Sequence, residues 1–154
     1  FSLAGLAEPE IDRVIFEPSR SCEARSGRVV DDGEQRSLFV CIFEAQVCDG
    51  ADDCTVATTS ARVAVLHELG HAWMIDHFAP DAQTALLELT GREVWNDLEV
   101  PWSDRGVEYA AEALTWGLID DQLTMVRLGS PPCQELAAAY TLLTDTSPPS
   151  GAGC

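Results

Sequence analysis

A long stretch without helix-breaking residues is the strongest constraint that the sequence places on the fold. Between about Thr59 and His77 the only glycine is Gly70, and the next proline along the chain is Pro80. Apolar residues recur through this stretch at the spacing of an α-helix. The sequence therefore predicts a helix of about five turns, around which the other elements must pack.

The residues before this helix have the character of β-strands. Two short runs, 13–16 and 37–43, are rich in β-branched and aromatic side chains and are bounded by turn residues. Between them, Asp31-Asp32-Gly33 is typical of a hairpin or loop. The first part of the chain is therefore predicted to form a small β-sheet.

Three further helices are predicted after the long one. Asp81 is a favourable N-cap for the second helix, and Gly91 is a favourable residue to end it. The third helix extends over about 104–118, and the fourth follows Ser130 and continues through Leu143. Strands first and helices afterwards favour an α+β domain, with a small N-terminal sheet followed by the long helix and further helices.

The length and charge of the chain limit its architecture and its partners. A chain of 154 residues suits one domain, predicted over 1–146, with 147–154 as a tail. The 26 acidic residues against nine basic ones give a net charge of −17, which repels nucleic-acid phosphates and anionic lipids. No apolar stretch reaches the ~20 residues of a membrane span. We therefore expect neither a nucleic-acid partner nor a membrane span, and the oligomeric state is left open.

Six cysteines in a chain of this length indicate an oxidising compartment. We therefore predict a secreted or cell-envelope protein. Cys48 and Cys54 bracket a loop rich in turn residues and are predicted to pair. Pairing of Cys133 with Cys154 would tether the C-terminal tail. A thiolate zinc site is the alternative, but the chain contains no C-x-x-C pair.

The end of the long helix carries the motif with the clearest chemical meaning. His67 and His71 are four residues apart, so on a helix they lie about 40° apart around the axis and face the same way. This geometry suits two nitrogen ligands on one Zn²⁺, with Glu68 beside them to accept a proton. We therefore predict Zn²⁺ as cofactor, His67 and His71 as ligands, and Glu68 as general base.

A catalytic zinc needs a third protein ligand and a fourth position left to water. His77 follows at the spacing of the metzincin signature, but Met74 stands where that signature has glycine. If the helix continues, His77 lies about 240° around the axis from His71 and points away. Glu108 and Glu112 share one face of the predicted third helix. Both are therefore candidates for the third ligand.

These two motifs together resemble those of the gluzincins, the thermolysin-type branch of the HExxH zinc metallopeptidases. In that family a Glu followed by Ala, on a helix downstream of the HExxH motif, supplies the third ligand. Glu112-Ala113 matches this pattern, so the resemblance implies Glu112 as the third ligand, with Glu108 as the alternative ligand or as hydrogen-bond acceptor to a ligand. The segment is also similar to compact peptidase domains such as the phage-repressor proteases and to small uncharacterised bacterial HExxH proteins. The resemblance covers residues 61–118. It departs from the thermolysin pattern at Trp116, where that pattern has an Asp four residues after the ligand.

The resemblance implies a zincin-like fold and a zinc metalloendopeptidase in which Glu68 is the general base and the partner is a peptide or protein substrate. An oxyanion stabiliser is also expected, for which Tyr109 is the candidate and Arg105 and Tyr140 are alternatives. A different interpretation is a zinc-stabilised, secreted binding or toxin-like module without turnover. Four protein ligands, with both Glu108 and Glu112 or with His77, would leave no position for water.

Overall fold

Strands precede helices along the chain, as the sequence predicts. The structure is a computed structural model that describes residues 4–18, 27–42, 54–119 and 131–149. The strands are β1 (Arg13–Pro18), β2 (Gly27–Asp31) and β3 (Arg36–Ile42). The helices are α1 (Cys54–His77), α2 (Pro80–Thr90), α3 (Gly106–Leu118) and α4 (Cys133–Thr144), with a 3-10 turn at Trp102–Asp104. The predicted α+β class is therefore confirmed for the described residues.

The three strands form one mixed sheet in the order β1-β3-β2. The central strand β3 is parallel to β1 and antiparallel to β2. The predicted hairpin joins β2 to β3, where Oδ1 of Asp32 accepts hydrogen bonds from the backbone N–H groups of Glu34 and Gln35. Gly33 adopts a φ of 84° in this turn, which glycine tolerates without steric cost. The strand β2 is not predicted from the sequence, because glycine and aspartate at its ends disfavour a strand.

The sheet packs on α1 through one face of β3. Leu38 and Val40 are fully buried there and contact Ala64 of α1. A partly buried ion-pair cluster fixes the same two elements, because the guanidinium of Arg36 lies 2.5 Å from a carboxylate oxygen of Asp76 at the end of α1. The long helix is therefore held against the sheet along its last four turns.

A second, larger core lies between the helices, where α3 is buried along most of its length. At the crossing of α1 and α3, a Cβ atom on Gly70 would lie 3.3 Å from both Cα and O of Ala111. These two small residues let the helix backbones approach closely. Because the backbones are close here, side chains on the adjoining turns of α1 and α3 can contact each other directly.

Several helix ends differ from the predicted ones for local reasons. The long helix begins at Cys54 rather than about Thr59, since no glycine or proline interrupts the residues between them. Pro80 is the first helical residue of α2, so Asp81 lies inside the first turn instead of capping it. Gly91 ends α2 in the left-handed conformation with φ 66°, as predicted.

Disulfide bonds are present in the described part of the chain. Cys41 and Cys133 are both disulfide-bonded. The predicted pairs Cys48–Cys54 and Cys133–Cys154 involve side chains that lie outside the described residues. No helix in the described part of the chain is both long enough and apolar enough to cross a membrane.

Candidate metal centre

The two histidines of α1 and one carboxylate of α3 bring three potential ligand atoms together. The Nε2 atoms of His67 and His71 are 3.1 Å apart, and Oε2 of Glu108 lies 3.1 Å from each of them. Ligand atoms 2.0–2.1 Å from a tetrahedral Zn²⁺ are about 3.3 Å apart. The three residues therefore fit a zinc ion, which would be coordinated on one side of the triangle that these atoms form.

The charges of this group favour a cation. Burial lowers the pKa of His67, but the hydrogen bond to Glu108 and the nearby carboxylate of Glu112 outweigh it and raise that pKa to about 9. Burial raises the pKa of Glu108, but its hydrogen bonds with His67 and His71 lower it to about 2. A proton on His67 therefore neutralises part of a carboxylate-rich group that is suited to a metal ion.

Glu112 lies behind one of the two histidines. Its Oε1 atom is 3.3 Å from Nδ1 of His67, which is ion-pair distance without the alignment of a hydrogen bond. A carboxylate in this position orients a ligand imidazole and raises its basicity. The structure thus brings Glu108 to both imidazoles and Glu112 to the far side of His67, whereas the sequence favoured Glu112 over Glu108 as third ligand.

Glu68 follows His67 on α1 and is buried, with 3% of its surface exposed. Its side chain lies against Gly27 at the start of β2, where an added Cβ would be 2.6 Å from Cγ of Glu68 and 2.4 Å from the backbone oxygen of Phe39. Gly27 therefore makes room for the predicted general base. Gly27 could not be identified from the sequence, because the strand that it begins was not predicted either.

His77 lies away from the group. The helix continues to His77, as the lack of a breaker after His71 suggests, and the imidazole stacks on Trp73 with ring centroids 4.9 Å apart. Its Nδ1 atom donates to the backbone oxygen of Trp73 at 3.0 Å. The six-residue offset from His71 thus turns His77 to another face of α1.

Tyr109 and Arg105, two of the three residues predicted as oxyanion stabilisers, make other contacts in the described structure. The Tyr109 hydroxyl donates to Oε1 of Glu135 at 2.7 Å, and the Arg92 guanidinium lies 4.1 Å above the Tyr109 ring. One position after Glu108 on a helix is a rotation of about 100°, which directs Tyr109 into the helical core. Arg105 donates to backbone oxygens of the preceding loop. These placements give no support to an oxyanion role for Tyr109 or Arg105.

The metal-free protein is expected to lose stability as the pH rises from 6.5 to 9. The folded pKa of His67 is raised to about 9, so protonated His67 contributes fully to the free energy of unfolding below pH 6.5. This contribution is lost as the pH rises to 9. The loss is at most on the order of 3 kcal/mol, and saturating Zn²⁺ should abolish it because the metal replaces the proton. Urea unfolding of chelator-treated protein at the two pH values measures this. Equal stability at both values without metal would contradict the coupling of His67 to the two carboxylates.

Glu108 makes the stability of the metal-free protein depend on pH in the opposite direction, at low pH. Its folded pKa is lowered to about 2 from 4.5, so its contribution is complete above 4.5 and is lost as the pH falls towards 2. Glu108→Gln is the matched control for both pH ranges, because it removes the carboxylate that contacts the two imidazoles. Its unfolding free energy should therefore vary less with pH than that of the wild-type protein.

Comparison with protein-family models, curated proteins and solved structures finds no match to this chain. Among the described residues, His67, His71 and Glu108 are the group whose ligand atoms all lie within 4.8 Å of one another. The function is therefore inferred from this group and the residues around it.

Proposed function

We propose that this protein is a zinc-dependent metallopeptidase whose metal is held by His67, His71 and Glu108. The convergence of these three ligand atoms is the observation that carries the proposal. The carboxylate of Glu68, the next residue after His67, is buried and helps to raise the pKa of His67. Three protein ligands leave a fourth position of a tetrahedral site to water or substrate, which distinguishes a catalytic from a structural zinc site. Zinc would supply a Lewis acid that lowers the pKa of water and polarises a peptide carbonyl.

Glu68 and Glu112 have different roles in the proposed reaction. Glu68 accepts a proton from the attacking water at its carboxylate and donates it to the leaving amine nitrogen, so that the peptide bond is exchanged for a carboxylate and an amine. With Zn²⁺ bound, two neutral imidazoles and one carboxylate would leave the metal and its ligands with a net positive charge. Glu112 holds the His67 imidazole from behind and adds to its basicity as a ligand.

The spacing of the two glutamates strengthens the resemblance to the gluzincins. In the thermolysin pattern an Asp follows the ligand Glu by four residues, and Trp116 does not match it when Glu112 is taken as the ligand. With Glu108 as the ligand, the residue four positions later is Glu112, an acid, although the residue after Glu108 is Tyr109 rather than the Ala of that pattern. This assignment supports a gluzincin-like arrangement, and with it a zincin-like fold.

A second candidate is a zinc-stabilised binding module without turnover. The placement of Tyr109 and Arg105 in other contacts favours it, since a peptidase needs a donor for the oxyanion. The disulfide-bonded Cys41 and Cys133 are compatible with both candidates and support a secreted or cell-envelope location.

Metal binding and hydrolysis test the first candidate together. We expect one Zn²⁺ per chain by elemental analysis and cleavage of a mixed fluorogenic peptide library by the zinc-loaded protein. Chelation should abolish cleavage, and one equivalent of Zn²⁺ should restore it. In the Co²⁺-substituted protein, a peptide hydroxamate should change the visible absorption bands by occupying the open position. Cleavage that persists without metal, or a protein that binds no metal, would refute the proposal.

A further inference from the structure

The loop between α2 and α3 has a defined shape although most of it is not regular secondary structure. The Arg105 guanidinium donates to the backbone oxygens of Val100 and Leu98, at 2.8 and 3.2 Å from Nη2. The Arg92 guanidinium donates to the backbone oxygen of Ser103. The start of α3 is also tied back, because the Gly106 N–H donates to the oxygen of Val94 at 2.9 Å. The loop is therefore a structured support for the side chains that it carries.

The two tryptophans of this loop have different surroundings. Trp95 packs on Phe78 with ring centroids 5.4 Å apart and contacts the helical core. The partly exposed Trp102 lies beside the metal group, with its ring centroid 5.7 Å from that of His67 and the two planes inclined at 33°. Trp95 thus anchors the loop, and Trp102 lines the candidate metal centre.

We propose that Trp102 contacts the substrate and makes the site select an apolar or aromatic side chain next to the cleaved peptide bond. This inference rests on the peptidase function proposed above. A peptide carbonyl placed at the metal group carries its flanking side chains within a few Å of the His67 imidazole, on which the indole lies. The indole offers a broad apolar face to those side chains, and burial of a Leu- or Phe-sized side chain against it favours binding over glycine.

The alternative role for Trp102 is purely structural, as a cover that packs on His67. That role predicts a change in metal affinity or stability when the ring is removed, with the same relative activity on all peptides. Substrate contact predicts a change in relative activity with metal affinity unchanged. The ratio of kcat/KM between matched peptides therefore separates the two roles.

The test uses zinc-loaded full chain and peptides that differ only in one residue beside the cleaved bond, with Gly, Ala, Leu, Phe or Asp there. Hydroxamates bearing the same side chains give a second series that requires binding but no turnover. Trp102→Ala removes the indole, and Trp102→Phe keeps an aromatic face. Leu98→Ala is the matched control, because Leu98 is an apolar side chain on the same loop that is 79% exposed.

We expect the wild-type protein to favour Leu or Phe over Gly by at least tenfold, and Trp102→Ala to reduce this ratio below about threefold. Trp102→Phe and Leu98→Ala should keep most of this preference, and the Zn²⁺ affinity should be unchanged in all variants. Cleavage without side-chain preference, or a preference that Trp102→Ala leaves intact, overturns the inference while the peptidase proposal stands. A wild-type protein that binds neither zinc nor hydroxamates overturns both.

Discussion

Glu108→Gln should lower the affinity of the protein for Zn²⁺ by roughly a thousandfold, whereas Glu112→Gln should lower it only about tenfold. The Glu108 carboxylate oxygen lies 3.1 Å from both ligand nitrogens, so its replacement removes an anionic ligand. The Glu112 carboxylate lies behind His67, and its replacement weakens the orientation and basicity of that imidazole. The two variants make the same chemical change one helical turn apart.

Competition with a chromophoric chelator at fixed pH measures both affinities. Circular dichroism of the metal-free variants shows whether each still folds, and Glu88→Gln on the exposed side of α2 is the control for loss of one negative charge. A larger loss for Glu112→Gln than for Glu108→Gln would reverse the assignment and return Glu112 to the ligand role that the sequence favours. Equal losses near a thousandfold would indicate a site with both carboxylates bound and no open position.

Glu68→Gln should lower kcat by 10²–10⁴-fold while the Zn²⁺ affinity changes by less than about threefold. The amide has nearly the same size as the carboxylate, so it fits the space that Gly27 leaves at the start of β2. It cannot accept the proton of the attacking water, which removes the general base without removing a ligand. The variant therefore separates proton transfer from metal binding.

Single-turnover cleavage of the best library peptide, together with zinc content, measures this effect. Glu88→Gln should retain wild-type turnover, because its side chain is exposed on another helix. A Glu68→Gln protein that keeps its zinc and full activity would contradict the proposed role of Glu68 as general base. A wild-type protein that binds zinc but cleaves nothing would favour the binding module over the peptidase.

The local part of the site could be predicted from the sequence, because it depends on the geometry of one helix. Residues four apart on α1 must face the same way, and the structure places His67 and His71 side by side. The same geometry directs His77 elsewhere once no breaker follows His71. The order of strands and helices could also be predicted, because strand-forming segments come first in the sequence and helix-forming segments follow them.

The non-local part could not be predicted, because it depends on how elements pack. Whether Glu108 or Glu112 meets the imidazoles is set by the height at which α3 crosses α1, and that height is fixed by the contact of Gly70 with Ala111. Nothing in the spacing of the two glutamates contains this information. The strand β2 is similar, since its pairing with β3 overrides weak strand propensity.

The contact between Gly70 and Ala111 also determines how this protein would fail under mutation. It lies midway between the two helices that share the metal group, so any larger side chain there acts as a wedge and separates carboxylate from imidazole. A functional site must hold its groups to within about half an ångström, so a small displacement of one helix disturbs metal coordination more than it disturbs the helical core. Substitutions at this crossing should therefore release the metal well before they unfold the chain. Zinc content is accordingly the more sensitive reporter of damage to the fold, and thermal stability the less sensitive one.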